Sequence, residues 1–374
     1  MSAQIDYIWV DTQSKLLECC TQASQKSVVA LDTEFVRIRS YYPQLGLIQL
    51  FDGNNVYLID PQGINDFSCF KALLANTQII KVLHACSEDL EVFLYHIQQM
   101  PTPMLDTQIM AAFLGEGASL GFAKLVELYL GITLDKGESR TDWLARPLSE
   151  KQCQYAAADV FYLLPIYHQL VEKLNQTGWQ TAAQQECETL LVKRQQLSDS
   201  LKAYQDIGNA WQLTSQQLAV LRILAKWRLE EAQKRNRALN FIVKEQSLWQ
   251  IAKIQPKHTA TLLEFMHPNE VRAYGKKLLW LVEQSRAISE KDYPPPITRL
   301  VDDPDYKATL KGLQQQIARI IPADLPSELF ASKRQLNQLF KWHKMGQDPQ
   351  HLPELLQGWR RSYGEQLYQA VFGG

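Results

Sequence analysis

The chain predicts a mixed α/β domain followed by all-α modules, and three observations carry that prediction. Apolar strand-like runs alternate with helix-like segments through the first half; two of those runs are joined by a four-residue turn; and strand signals stop near residue 190, leaving only helical periodicity. The strand candidates are residues 28–35, 47–52, 56–60 and 79–84, with Asp52-Gly53-Asn54-Asn55 closing the second and third into a hairpin. Residues 66–74, 87–97, 106–113, 121–129 and 149–174 carry helical spacing. Later helices are predicted at 214–236, 244–254, 259–265 and 269–285. The run Tyr293-Pro294-Pro295-Pro296 reads as a stiff linker. Beyond it, "ASKRQLNQLFKWH" (331–343) and "LPELLQGWRRSYGEQL" (352–367) echo "TSQQLAVLRILAKWR" (214–228) and "HPNEVRAYGKKLLWLVEQ" (267–284), a weak internal repeat. The expected division is an α/β domain over 1–190 and helical modules over 191–292 and 293–374.

A chain of 374 residues suits two or three domains, and 46% hydrophobic with 21% charged residues is the composition of a folded, soluble protein. The segment from Met1 to Asp11 has neither the basic start nor the apolar stretch of a secretory leader. No apolar run approaches the roughly 20 residues that span a bilayer. Six cysteines form no C-x-x-C pair, which argues against a disulfide framework or a structural zinc. A cytoplasmic monomer without a membrane partner is expected. The net charge of −1 conceals a division: residues 1–190 carry −10 and residues 211–290 carry +6. An acidic module suits metal ions, and a basic one suits a polyanion.

Within the first strand, "VVALDTEF" (28–35) sets Asp32 and Glu34 two residues apart, hence on one face. Two anions so placed repel each other and are costly to bury without a cation between them. Asp89 lies just inside a helix that follows a strand, and Tyr155 and Asp159 stand four apart on one helical face that is otherwise apolar. Asp106 reads as a helix N-cap and His84 as a hydrogen-bonded core histidine. Four hard oxygen ligands without imidazole or thiolate suit Mg²⁺ or Mn²⁺, and two such ions roughly 3.5–4 Å apart can clamp a phosphodiester. A cation against both Asp32 and Glu34 would explain their pairing.

This order, D-x-E, then D, then Y-x-x-x-D, resembles the DEDD exonuclease superfamily in its tyrosine subgroup, whose catalytic domain has a ribonuclease H-like fold. The stretches "ALDTEFVRIRSYYPQLGLIQLFDG" (30–53), "LHACSEDLEVF" (83–93), "LDKGESRTDWLARPLSEKQCQYAAADVFYLLP" (134–165) and "NAWQL" (209–213) make nearly the whole chain similar to the ribonuclease D family. The helical pieces resemble its HRDC domains, two in tandem. The resemblance implies a 3′→5′ exoribonuclease that releases nucleoside 5′-monophosphates and acts on RNA with a single-stranded 3′ end, transfer-RNA precursors among them. It implies two divalent ions, Mg²⁺ or Mn²⁺, held by Asp32, Glu34, Asp89 and Asp159, with Tyr155 orienting the nucleophilic water. Phe35, Gln44 and Gln49 are candidates for contacting the terminal nucleotide. Arg140, Asp142 and Trp143 fall in a segment the family shares, without an assigned role.

In the basic half, "AKWRLEEAQKRNRALNFIVKEQ" (225–246) gathers Lys226, Arg228, Lys234, Arg235 and Arg237. These read either as a phosphate-contacting surface or as a solvated helix face paired to Glu230 and Glu231. The division of charge favours the first. Two further readings stand beside the exoribonuclease: a DNA 3′→5′ exonuclease, and a non-catalytic RNA-binding adaptor on a nuclease scaffold. The chain has no G-x-x-x-x-G-K-[ST] loop and keeps all four carboxylates.

Overall fold

The computed structural model describes residues 4–134, 137–138, 141–196 and 199–373. They form two compact units. One comprises the chain to Val36, Gln44–Gln195 and the chain from Pro304 onward; the other comprises Arg37–Pro43 and Gln196–Asp303.

The first unit is built on six strands: β1 (Tyr7–Val10), β2 (Val28–Val36), β3 (Gln44–Phe51), β4 (Val56–Ile59), β5 (Ile80–Leu83) and β6 (Met104–Asp106), in the order β1-β4-β3-β2-β5-β6. β2, β3 and β4 run antiparallel to their neighbours among themselves; β1, β5 and β6 add parallel edges. The turn between β3 and β4 is closed as expected: Asp52 accepts from the backbone N–H groups of Asn54 and Asn55 at 2.8 and 2.7 Å, and Gly53 takes φ +88°.

Helices cover both faces of the sheet: α1 (Gln13–Ala23), α2 (Ser68–Ala75), α3 (Ser87–Val92), α4 (Thr107–Phe113), α5 (Phe122–Leu130), α6 (Glu150–Phe161), α7 (Leu163–Asn175) and α8 (Gln180–Gln195). Strand alternation divides the core. Val29, Leu31, Ile48 and Leu50 pack with α1, α2 and α3, whereas Ala30, Leu47, Phe51 and Leu58 pack with α6 and α7.

The long helix expected over 149–174 is two helices. Pro165 has no N–H to give the Phe161 carbonyl and its ring would strike it, so α6 ends there and Pro165 falls in the first turn of α7. The expected helix 87–97 likewise changes at Val92 into a wider π turn, Phe93–Ile97. β1, α1, β6 and α8 have no counterpart among the expected elements. The strands are only four and three residues long, and α1 buries a stripe of Leu16, Cys19, Cys20 and Ala23, three of the four with small side chains.

The second unit holds α9 (Ser215–Arg235), α10 (Leu239–Ile242), α11 (Glu245–Ile254), α12 (Thr259–Leu262) and α13 (Pro268–Ser285) around Leu218, Leu221, Leu224, Leu248, Ile251 and Leu278. Tyr42 donates its backbone N–H to the Asn236 side chain at 2.9 Å, tying residues 37–43 to the end of α9.

The last helices, α14 (Tyr306–Ile320), α15 (Ser327–Phe330), α16 (Lys333–Lys344) and α17 (Arg361–Phe372), belong to the first unit. A three-module division at 190 and 292 thus differs from the two units formed. The reason is a clamp on α8. Arg360, 6% exposed, pairs with Glu186 and donates to the carbonyls of Phe330 and Leu329, both at 2.8 Å, while Trp359 donates to Glu186 at 3.1 Å. The echoed segments do start alike: Thr214 with Gln217 caps α9, and Ser332 with Gln335 caps α16, each a reciprocal capping box.

Candidate active site

β2 presents Asp32 and Glu34 on the face that α6 covers, opposite Gln49 and Leu47 of β3. Immediately after Glu34 the register slips, Phe35 pairing with Leu45, so Gly46 is a bulged residue. A Cβ at Gly46 would stand 2.6 Å from the Trp143 carbonyl oxygen, which is why glycine is required there: the backbone of Trp143 lies on the strand. Arg146 fastens this loop. It reaches the two Asp60 oxygens at 2.7 and 2.8 Å, the Gly46 carbonyl at 2.6 Å and the Trp143 carbonyl at 3.0 Å. The loop runs into Ser149, whose capping box with Gln152 starts α6. α6 then crosses β2, β3 and β4, carrying Tyr155 and Asp159 one turn apart, with the Trp143 ring 6.1 Å from that of Tyr155.

One oxygen each from Asp32, Glu34 and Asp159 lies within 4.8 Å of the others. The Tyr155 hydroxyl lies near enough to Asp159, one turn further along α6, for the two to influence each other's titration. Asp89, buried on α3, lies outside that group of three and accepts from the Thr33 hydroxyl at 2.5 Å. Asp106 is the N-cap expected. It accepts from Gln108 N–H at 2.8 Å and from the N–H groups of Ala85 and Cys86, both at 3.0 Å, which fixes the turn leading into α3. His84 packs near Phe122 with Nδ1 2.9 Å from the Thr107 hydroxyl, a core role.

Burial first, and the neighbouring carboxylates next, push Asp32 well above the ordinary aspartate range and Glu34 up to about 9. Burial raises Asp159 to about 7 and Asp89 to about 6, against the hydrogen bonds from Tyr155 and Thr33 that favour their charged forms. Burial, then Asp159, Glu34 and Asp32, raise Tyr155, so its hydroxyl keeps its proton. Among the described residues no ion pair joins any of the four carboxylates to a lysine, arginine or histidine. Clustered anions that resist ionisation, with only oxygen donors, fit a hard divalent cation.

The expected nucleotide contacts fare differently. Phe35 is half-buried against the core beside the bulge and Gln44 is exposed at the start of β3. Gln49 is 0% exposed, so the expectation that it touches the terminal nucleotide is corrected: α6 covers it. Asp142 accepts from Leu144 N–H at 3.0 Å and Trp143 is fully buried; Arg140 lies outside the described residues. In the basic half, Arg228 is also corrected. It is 5% exposed and donates to the Val243 carbonyl at 3.3 Å, since its place on α9 faces the core. Lys226 pairs with Glu230 at 3.8 Å and Arg235 with Glu231, the local pairing weighed against phosphate contact; Lys234 and Arg237 are exposed. The sequence reading passed over α13, where Arg272, Lys276 and Lys277 are exposed beside Trp280, itself half exposed with the Lys277 ammonium 3.8 Å from its ring centre. The signal was present as three cations and a tryptophan spaced 4, 1 and 3 residues apart on one helix.

Fold and site together define a 3′→5′ exonuclease carrying helical accessory modules. Residues 7–175 match the family model described as 3'-5' exonuclease, residues 217–282 match the HRDC domain, and residues 304–367 match the ribonuclease D C-terminal HRDC domain. The chain is 51% identical to ribonuclease D of Haemophilus influenzae over 97% of its own length and 92% of that protein's. It is 47% identical to ribonuclease D of Escherichia coli K12, covering 98% of each. The crystal structure of Escherichia coli RNase D, described as an exoribonuclease involved in structured RNA processing, superposes with a TM-score of 0.94 over 98% of this chain and 99% of that one. The chain belongs to the ribonuclease D family. It is a 3′→5′ exoribonuclease with RNA as its substrate, and its family uses divalent metal ions at an acidic cluster such as this one.

Proposed function

We propose that this exoribonuclease trims the 3′ ends of transfer-RNA precursors in the cytoplasm as a monomer, using Mg²⁺ or Mn²⁺ held by Asp32, Glu34, Asp89 and Asp159. The observation that carries the site assignment is the group of three carboxylates within 4.8 Å of one another, with Tyr155 one helical turn before Asp159. Two bound divalent ions supply acidity to the attacking water and charge stabilisation to the attacking and leaving oxygens. The chain's residues do the rest. Tyr155 holds the water in line with the phosphorus by hydrogen bonding, and Asp159 orients the Tyr155 hydroxyl. The water oxygen bonds to phosphorus, the bond to the ribose 3′ oxygen breaks, and that oxygen takes up a proton. The products are a nucleoside 5′-monophosphate and an RNA one residue shorter. Phe35 and Gln44, flanking the bulge next to Glu34, would contact the terminal nucleotide. The exposed cations Lys234, Arg237, Arg272, Lys276 and Lys277, which have no ion pair among the described residues, supply phosphate contacts that position RNA without reading its sequence.

The test is turnover of a 5′-labelled RNA with a 3′ overhang, with Mg²⁺, Mn²⁺ or chelator, for the wild type and Asp159→Ala. Stepwise shortening that needs both the metal and Asp159 supports the site. Shortening that survives either loss overturns it. A DNA of the same sequence, degraded as fast, would move the reading to a DNA exonuclease. A precursor transfer RNA trimmed no faster than an unstructured RNA of equal length would remove the substrate assignment alone.

A further inference from the structure

One polar side chain on the carboxylates' face has no part in the chemistry above. Gln49 stands directly opposite Asp32 in the β2–β3 register, so both side chains leave the sheet on the same side. Its other cross-strand neighbour is Leu58 of β4, and Leu47 and Phe51 flank it along β3. It is 0% exposed under α6, and neither its amide nitrogen nor its amide oxygen has a hydrogen-bond partner among the described residues. A buried carboxamide with both ends unbonded is costly, and a leucine or methionine would fill that space without the cost.

The neighbouring carboxylates show what such a group is for. Asp89 receives the Thr33 hydroxyl at 2.5 Å and Asp159 has the Tyr155 hydroxyl one helical turn away, each a neutral group that can steady a carboxylate without adding positive charge that would compete with a cation. Among the described residues no side chain donates to Asp32, yet Gln49 sits across from it. Directly opposed residues have Cβ atoms about 4.5–5.5 Å apart, a gap that a glutamine side chain spans.

We propose that Gln49 is a positioning residue for the cation site: its amide, unbonded among the described residues and directly across from Asp32, turns to donate its N–H to that carboxylate when a cation is held there. The inference rests on the metal-site reading given above. It makes Gln49 the counterpart of Thr33 and Tyr155, one neutral donor for each of three carboxylates from three different elements.

The experiment is Mn²⁺ binding by calorimetry to the full chain, for the wild type, Gln49→Met and Gln49→Asn, beside thermal melts in chelator. Gln49→Met removes a buried amide in favour of an apolar chain of similar length. It is expected to melt in chelator at or above the wild-type temperature while binding Mn²⁺ about tenfold more weakly or worse. Gln49→Asn keeps the amide but falls one methylene short, and is expected to bind Mn²⁺ more weakly too. A folded Gln49→Met that binds Mn²⁺ as the wild type does overturns the proposal. Should that variant not fold, Gln49→Asn decides, and wild-type affinity in it overturns the proposal equally. A wild type that binds no Mn²⁺ would fail the metal-site reading itself, which separates the two.

Discussion

Two charged regions of this molecule look alike in the sequence and differ in the fold. On the α6 face of the sheet, carboxylates from β2 and α6 converge, Asp89 of α3 is buried outside that group, none of the four has an ion pair among the described residues, and burial pushes their titration upward. On α9, the cations that the sequence gathers are largely answered at home: Glu230 and Glu231 take Lys226 and Arg235 one turn away, and Arg228 turns inward to the Val243 carbonyl. Like charges that the tertiary structure assembles without counter-charge are kept for a ligand. Mixed charges at i,i+4 on a helix satisfy one another and claim nothing further. By that criterion the stronger candidate for polyanion contact in the second unit is α13, whose Arg272, Lys276 and Lys277 have no ion pair among the described residues.

The comparison can be broken at its acidic end first. Asp159→Ala is expected to lower kcat by at least about 1,000-fold, roughly 4 kcal/mol of barrier, in the labelled-RNA assay with folding checked by circular dichroism. Tyr155→Phe, which keeps the ring against Trp143 and removes the hydroxyl, should lower kcat by about 100-fold; an undiminished kcat would discharge Tyr155 from the mechanism. Arg146→Ala leaves Asp60 without its bidentate partner and frees the loop that enters α6. A loss of about 3 kcal/mol in urea unfolding is expected, and a loss below 0.5 kcal/mol, the order of a surface pair, would show the clamp to be dispensable.

A pH series sharpens the contrast between the two regions. Carboxylates raised on folding, to about 6 for Asp89, about 7 for Asp159 and about 9 for Glu34, bind protons more tightly in the native state than in the unfolded chain. Their contribution to stability is complete below pH 4 and is lost as pH rises through those values. In chelator the melting temperature should therefore fall between pH 6 and pH 9. Mn²⁺, which displaces the protons, should raise it more at pH 8.5 than at pH 6. An equal rise at both would mean that the ion binds elsewhere. The smallest effect concerns RNA binding. Neutralising Arg272, Lys276 and Lys277 together should reduce the salt slope of affinity by about 2, whereas neutralising Lys226 and Arg235 should change it by less than about 1. The reverse ranking would restore α9 as the contact surface.

The acidic site was legible because its chemistry is local in pattern: a D-x-E on an apolar strand, and a tyrosine one turn before an aspartate on an apolar helix face, are readable from periodicity alone. Its supports were not. Gly46 answers to the backbone of Trp143 97 residues away, Arg146 to Asp60 86 residues away, and Gln49 to a register that no local signal sets. Gln49 and Arg228 were misjudged for one reason, that a polar residue in a strand or helix reads as accessible until the element covering it is known. The broken helix at Pro165 was recoverable from proline chemistry; β1, β6 and α1 were too short or too rich in small residues for a hydrophobic pattern to mark them.

By itself the sequence determined the α/β domain, the helical segments after it, the paired Asp32 and Glu34 on one strand face with Tyr155 and Asp159 on one helix face, and the division of charge between acidic and basic halves, since each is a property of spacing or composition. Only the tertiary structure decided which of the charges are answered, which amide is buried beside Asp32, and that the last helices close onto α8 through Arg360 and Glu186. Those outcomes depend on pairings between residues far apart in the chain, and a pairing exists only once burial has removed water as the alternative partner.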